Sequence, residues 1–271
     1  MSGIFRQAYI FNLLKIIDSS WHLPSENRNS LKEYSSEHIP NAIYFDIDKN
    51  SDLNSNLPHM LPNKDMWEKI MSSNGISNND KIVIYDNSKV LSSCRLWYML
   101  LYFGHSKKLV SVLNGGLEKW KKNNLPITED HTKLKMTNYK AQENKFMVKN
   151  LDEIDQNIEN KVFSLVDARS KDRFEGKTKE PREGVRSGSI KNSICIPFNN
   201  VIKDDITFKG TEELKIIFNN IISDIDNNNV VFSCGSGITS CVLALAYSLI
   251  NNNYNPTIYD GSWAEYGKIF K

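Results

Sequence analysis

The chain has 271 residues, 40% of them hydrophobic, enough for one large core or two smaller ones. Its formal net charge is +2, with basic and acidic residues interleaved along most of the length, which gives no nucleic-acid footprint. The four cysteines, Cys94, Cys195, Cys234 and Cys241, are too scattered for a disulfide scaffold and lack the Cys/His spacing of a metal site, so the chain suits a reducing compartment, cytoplasmic or mitochondrial.

At the N-terminus, Phe11, Leu13 and Leu14 follow a single arginine, but Asn12, Lys15 and Asp18 interrupt the apolar tract. This lacks the signature of a secretory signal or a spanning helix and leaves a short organelle signal open. A first strand is predicted at Leu13 to Ile17, ending at Asp18, and a short element at Ala42 to Phe45. The run Ile82-Val83-Ile84-Tyr85-Asp86 reads as a strand feeding a helix over about Ser92 to Tyr102, whose apolar residues recur at helical spacing. Leu109 to Leu113 follows, closed by Asn114-Gly115-Gly116.

The same order then returns. Phe163 to Val166 ends at Asp167, a short element follows at Ile194 to Ile196, and Val230-Val231-Phe232-Ser233-Cys234 leads into a helix over about Ser240 to Ile250. Thr257 to Tyr259 with Asp260-Gly261-Ser262 closes the second series. Two α/β domains with mainly parallel sheets are therefore expected. The poorly hydrophobic stretch from about Lys121 to Lys149 connects them, placing the domains at 1–135 and 151–271 and the linker at 136–150. Asparagine runs at Asn227 to Asn229 and Asn251 to Asn253 read as surface connections.

The two series end differently. Asp86 stands in the first where Cys234 stands in the second, so a sulfur nucleophile is available at that turn only in the second half. In Cys234-Gly235-Ser236-Gly237-Ile238-Thr239, the glycines let successive N–H groups curve around a small anion. The helix that begins near Thr239 favours a thiolate at its positive end. Ser236 and Thr239 add hydroxyls that can position a proton or a substrate oxygen. The competing reading of Cys234 is a small buried residue at a tight turn. Cys241 falls in the apolar helical pattern and reads as packing. A cysteine phosphatase would need an arginine at the far end of the loop; Ser240 stands there, and no arginine follows Cys234.

The loop Cys234 to Thr239 resembles the active loop of the 3-mercaptopyruvate sulfurtransferases, within the two-domain rhodanese superfamily. Phe45-Asp46-Ile47-Asp48, His59-Met60-Leu61-Pro62, Asp167-Ala168-Arg169, Arg173-Phe174, Glu180-Pro181-Arg182 and Asp260-Gly261-Ser262-Trp263 extend the resemblance over nearly the whole chain. It implies two tandem rhodanese-like domains, each a mainly parallel sheet flanked by helices, the first catalytically silent and the second active. Thiosulfate sulfurtransferases of the superfamily carry bulky cationic residues right after the cysteine; neutral Gly235 and Ser236 favour mercaptopyruvate instead.

The resemblance further implies that Cys234 is the nucleophile and becomes a persulfide. Arg173 and Arg182 are the substrate-binding pair, supported by the loop residues Gly235, Gly237, Ile238 and Thr239, and Asp48, His59 and Ser236 handle the proton. On residue type alone, either arginine reads as a solvated surface charge, and His59 as a surface or turn-capping residue before Met60-Leu61-Pro62. Arg169 fits a fold-stabilising role beside Asp167. The expected pocket lies between the domains, with His59 approaching from the silent half. The implied acceptor is a thiol such as thioredoxin, or cyanide. No cofactor, metal, nucleic acid or membrane is expected, and the chain is expected to be a monomer or weak dimer. The competing functions are a thiosulfate:cyanide sulfurtransferase and a non-catalytic sulfur-sensing scaffold.

Overall fold

The computed structural model describes residues 14–220, 222 and 229–268. Leu13, the predicted start of the first strand, the tract around Phe11, and Asn227 and Asn228 lie outside the described residues. The chain divides into two compact units: residues 1–50 with 62–144, and residues 51–61 with 145–271.

In the first unit, β1 (Leu14–Asp18), β2 (Ala42–Tyr44), β3 (Lys81–Tyr85) and β4 (Val110–Val112) form a sheet of order β2-β1-β3-β4. All its pairings are parallel. Helices α1 (Ser30–Ser36), α2 (Lys64–Ser73), α3 (Ser93–Tyr102) and α4 (Gly116–Lys122) connect and cover it. Every residue of α3 is buried, which its sequence explains: Leu96, Trp97, Met99, Leu100 and Leu101 leave no polar face to solvent.

In the second unit, β5 (Val148–Lys149), β6 (Ser164–Asp167), β7 (Ile194–Cys195), β8 (Val230–Ser233) and β9 (Ile258–Tyr259) give the order β5-β9-β8-β6-β7, again all parallel. The helices are α5 (Leu151–Asn160), α6 (Lys171–Phe174), α7 (Thr211–Asn219), α8 (Ser240–Ser248) and α9 (Ser262–Tyr266). One side of the sheet packs Ile154, Leu165, Val231, Tyr259 and Trp263 into a common apolar cluster. Parallel strands buried on both faces are the reason these runs read as continuously apolar.

The expected α/β architecture is present in both units, and the duplication extends to individual bonds. Ser19 N donates to Tyr85 O at 3.0 Å as Ala168 N donates to Ser233 O at 2.8 Å. Phe45 N reaches Asp18 O at 2.7 Å, and Ile196 N reaches Asp167 O at 3.0 Å. Leu117 N to Asp86 O at 2.9 Å has its counterpart in Trp263 N to Cys234 O at 3.0 Å. Asp86 and Cys234 therefore occupy the same place in their units, each the first residue beyond an inner strand.

Element ends shift slightly from expectation. β3 and β8 stop one residue early, leaving Asp86 and Cys234 in the loops, and α8 ends at Ser248 rather than Ile250. Three asparagines cap helices: Asn29, Asn63 and Asn150 precede α1, α2 and α5, their side chains accepting from Lys32 N, Met66 N and Glu153 N. Among the described residues, no helix is long and apolar enough to cross a membrane.

Candidate active site

β8 is buried along its whole length and lies between β9 and β6, so the chain leaves the sheet at Cys234 from an inner strand. Such carboxyl ends of parallel strands are where open α/β sheets place their sites. The exit is fixed by α9: Cys234 N donates to Ser262 Oγ at 3.2 Å, and Ala264 N donates to Gly235 O at 2.9 Å. Gly237 turns the loop with φ of 79°, a conformation that glycine adopts without steric cost. The helix α8 then starts at Ser240, with Thr239 at its N-cap.

Cys234 is buried, and burial alone would push its thiol up. Hydrogen bonds from the Thr239 hydroxyl, the Ser236 and Ser240 backbone N–H groups and the Ser240 hydroxyl outweigh it, so the thiol is held below its ordinary value. Ser240 Oγ lies 3.6 Å from Cys234 Sγ. The other cysteines differ. Cys195 is pushed up to about 11, first by burial and then by Asp167, and Cys241 donates to Gly237 O at 3.2 Å from within the core.

Arg173 and Arg182 converge above this loop. A Cβ on Gly235 would lie 3.2 Å from Arg173 Nη2 and 3.6 Å from Arg182 Nη1, so both guanidiniums close over the residue beside the cysteine. Gly235 thus leaves room for the two guanidiniums to approach, whereas Gly237 is favoured by its backbone conformation. Arg182 Nη2 donates to Ser236 Oγ at 3.0 Å. Burial pushes the Arg182 guanidinium below its ordinary value; Cys234 pulls it back up and Arg173 pushes it further down.

Arg173 is oriented from α6 by Glu180, which accepts from Nε at 3.2 Å and from Nη2 at 2.5 Å. The same carboxylate takes Arg169 Nη1 at 2.8 Å. Arg169 is buried, pairs with Asp167 at 2.7 Å and stacks over Trp263 with its Cζ 4.4 Å from the ring centre. Its contacts are those of a residue that braces the strand end.

His59 is buried, with Nδ1 3.0 Å from Ser236 Oγ and 3.2 Å from Ser236 O. Although His59 precedes α2 in sequence, its segment 51–61 groups with the second unit, to which Leu61 N is tied by Asp260 Oδ2 at 2.8 Å. The approach expected from the silent half is thus made by a short segment belonging to the second unit. His59 has φ of 60°, a left-handed conformation costing a non-glycine residue on the order of 1 kcal/mol. Asp48 belongs to the first unit, where its exposed carboxylate accepts from Trp21 Nε1 at 3.0 Å. Ile238 is buried, and its carbonyl accepts from Cys241 N at 3.1 Å.

Cys234, Ser236, His59, Arg173, Arg182, Gly235, Gly237 and Thr239 are gathered in one unit. Sequence reasoning missed Glu180 and Asp260 as the carboxylates that orient Arg173 and the His59 segment, and Ser240 and Ser262 as hydroxyl partners of Cys234. The available signals were an acid between two arginines at 173 and 182, and a serine on the first turn of the helix after the cysteine. In the first unit, Asp86 fills the corresponding place with a carboxylate whose oxygens accept from Ser88 N at 3.0 Å and Ser93 N at 2.7 Å, closing that loop on itself.

The Rhodanese-like domain family matches residues 13–123 and again residues 150–268. The chain is 38% identical to the thiosulfate/3-mercaptopyruvate sulfurtransferase 1, mitochondrial, of Arabidopsis thaliana, over 93% of this chain and 71% of that protein. It is 37% identical to the 3-mercaptopyruvate sulfurtransferase of Mus musculus, over 93% and 84%. Its fold superposes on the crystal structure of SseA from Escherichia coli, a 3-mercaptopyruvate sulfotransferase, with a TM-score of 0.82 and 31% identity, covering 96% of this chain and 97% of that one. With a rhodanese-like domain in each half and such relatives over nearly its full length, the chain belongs to the two-domain rhodanese superfamily and is a sulfurtransferase.

Proposed function

We propose that the chain moves sulfane sulfur from 3-mercaptopyruvate, through a persulfide on Cys234, to a thiol acceptor such as thioredoxin or to cyanide, releasing pyruvate. The observation that carries this reading is the convergence of Arg173 and Arg182 over Gly235, next to a thiol held below its ordinary value. A planar keto acid offers two sets of oxygens to two guanidinium forks. The sulfur end of the donor then faces Cys234, whose following loop residues Gly235 and Ser236 are themselves uncharged, the positive charge coming from Arg173 and Arg182.

In the first half-reaction the Cys234 thiolate attacks the donor sulfur. The Sγ–S bond forms, the C–S bond breaks, and its electron pair enters an enolate whose oxygen the arginines stabilise. A proton delivered to carbon completes pyruvate. Ser236 Oγ, shared by Arg182 and by His59 Nδ1, is the natural relay for that proton. Asp48 enters as the carboxylate that orients His59, a role resting on the resemblance alone. In the second half-reaction the acceptor thiolate attacks the outer sulfur and returns Cys234. The reading includes a monomer or weak dimer residing in the cytoplasm, with the mitochondrion as the alternative.

Thiosulfate is the second reading, favoured by the Arabidopsis relative named for both donors. Turnover of the two donors, with pyruvate followed directly, tests the choice. Faster turnover of 3-mercaptopyruvate with stoichiometric pyruvate is expected; a strong thiosulfate preference with no pyruvate would overturn the assignment. Intact Cys234 chemistry with neither donor would leave the sulfur-sensing scaffold.

A further inference from the structure

We infer that the Ser240 hydroxyl, buried 3.6 Å from Cys234 Sγ, is a catalytic group of the sulfur-transfer site, stabilising the cysteine both as attacking thiolate and as leaving thiolate. The inference rests on the persulfide reading for its second half and on geometry for its first.

Ser240 is the first residue of α8 and is fully buried, so its hydroxyl has no water to turn to. In the thiol form the S–H group donates to Oγ. Once the sulfur is ionised, the hydroxyl proton rotates toward it and the bond becomes charge-assisted, which is the stronger kind.

The first unit shows what a serine at this place does when no sulfur faces it. Ser92 stands six residues after Asp86, as Ser240 stands six after Cys234. Its hydroxyl donates to Ser19 O at 2.8 Å and accepts from Trp21 N at 3.0 Å, stitching the neighbouring strand exit to the helix start. In the second unit the residue matching Ser19 is Ala168, and the Ser240 hydroxyl, the same six residues beyond the strand exit, contacts Cys234 Sγ instead. The bond to sulfur is thus a property of the active half, not of the serine's place in the fold. It adds to the Thr239 and backbone donors that already hold the thiol down.

The same hydroxyl serves the return step. When an acceptor thiolate RS⁻ attacks the outer sulfur of Cys234–S–SH, the RS–S bond forms, the Sγ–S bond breaks, and the electron pair stays on Sγ, giving RS–SH and the Cys234 thiolate. A donor already aimed at Sγ lowers the basicity of that leaving group, and low-basicity thiolates leave faster.

Ser240→Ala, Ser240→Cys and Ser240→Thr separate this role from packing. The first readout is the pH dependence of Cys234 alkylation by iodoacetamide, located by peptide mass; the second is single-turnover formation and discharge of the persulfide. The alanine variant is expected to move the alkylation midpoint up by about half to one pH unit, the effect of one hydrogen bond. At high pH its thiolate should react about 2-fold faster than the native one, because a more basic thiolate is the better nucleophile. At neutral pH it should be slower and should discharge its persulfide several-fold more slowly. Threonine should restore the midpoint, and cysteine should fall between. An unchanged midpoint in both the alanine and cysteine variants, with persulfide still formed, overturns the inference while leaving the function intact. A shifted midpoint in a protein that forms no persulfide upholds the thiolate role and rejects the sulfur-transfer reading.

Discussion

Glu180 holds Arg173 by two bonds, Nε to Oε1 at 3.2 Å and Nη2 to Oε2 at 2.5 Å, and its Oε1 also accepts from Arg169 Nη1 at 2.8 Å. One buried carboxylate thereby couples the brace at the β6 end to the guanidinium over the cysteine loop. Replacing it with glutamine keeps the shape and removes the charge. Glu180→Gln is expected to lower stability by about 3 kcal/mol, since buried Arg169 loses half its compensation. It should also cut kcat/KM for the donor by about tenfold through misdirected Arg173. Denaturant unfolding and donor kinetics on the same variant check both; a stability loss with unchanged kinetics would detach Glu180 from substrate binding.

Gly235→Ala places a methyl group 3.2 Å from Arg173 Nη2 and 3.6 Å from Arg182 Nη1. The guanidiniums sit at the ends of flexible side chains and can yield by a few tenths of an ångström. Stability should change by less than about 1 kcal/mol. KM for a carboxylate-bearing donor should rise about 5-fold or more, because the clamp and not the fold has moved. Unaltered KM would place the donor elsewhere than under the two arginines.

Ser236 Oγ accepts from Arg182 Nη2 at 3.0 Å and lies 3.0 Å from His59 Nδ1. Residues sharing one atom do not act independently. Ser236→Ala and His59→Gln should each slow pyruvate formation by on the order of tenfold, and the double variant should lose little more than the worse single one. Fully multiplicative losses in a double-mutant cycle would show that no proton passes between them.

In the first unit, burial pushes the Asp18 carboxyl from 3.8 up to about 6, against hydrogen bonds from the Ser20 hydroxyl and backbone. The folded chain then keeps a proton that the unfolded chain releases near 3.8, so between about pH 4 and pH 6 the folded state binds more protons and stability falls as pH rises. Above about 6 the full cost is present. Asp18→Asn should remove that fall and raise stability at neutral pH by up to about 3 kcal/mol. Denaturant unfolding at a series of pH values reads the effect; parallel pH curves for the two proteins would contradict it.

The repeating order of strands and helices was legible because the inner strands β3 and β8 and the helices α3 and α8 are mostly buried and carry dense apolar runs. β5 was not: Val148–Lys149 is a strand only through its pairing with Ile258–Tyr259, and two residues carry no periodicity. The helices α2, α5 and α7 escaped delineation because their buried residues are few and widely spaced among charged ones. At the site, Cys234 was readable since strand, glycines and helix are contiguous in sequence. The meeting of Arg173 with Arg182 over Gly235 was not, since long-range packing sets it. The lack of an arginine after Cys234 described only the loop's own sequence; two arrive from the segment around α6.

The passage of sulfur through Cys234 is tested most directly by intact mass after brief exposure to 3-mercaptopyruvate. The native protein should gain the mass of one sulfur atom, located on the Cys234 peptide, with one pyruvate released, and should lose the added mass on treatment with a thiol reductant. Cys234→Ser should show neither the adduct nor continued donor consumption. Sustained turnover in that variant, or an adduct that maps to another cysteine, would contradict a Cys234 persulfide.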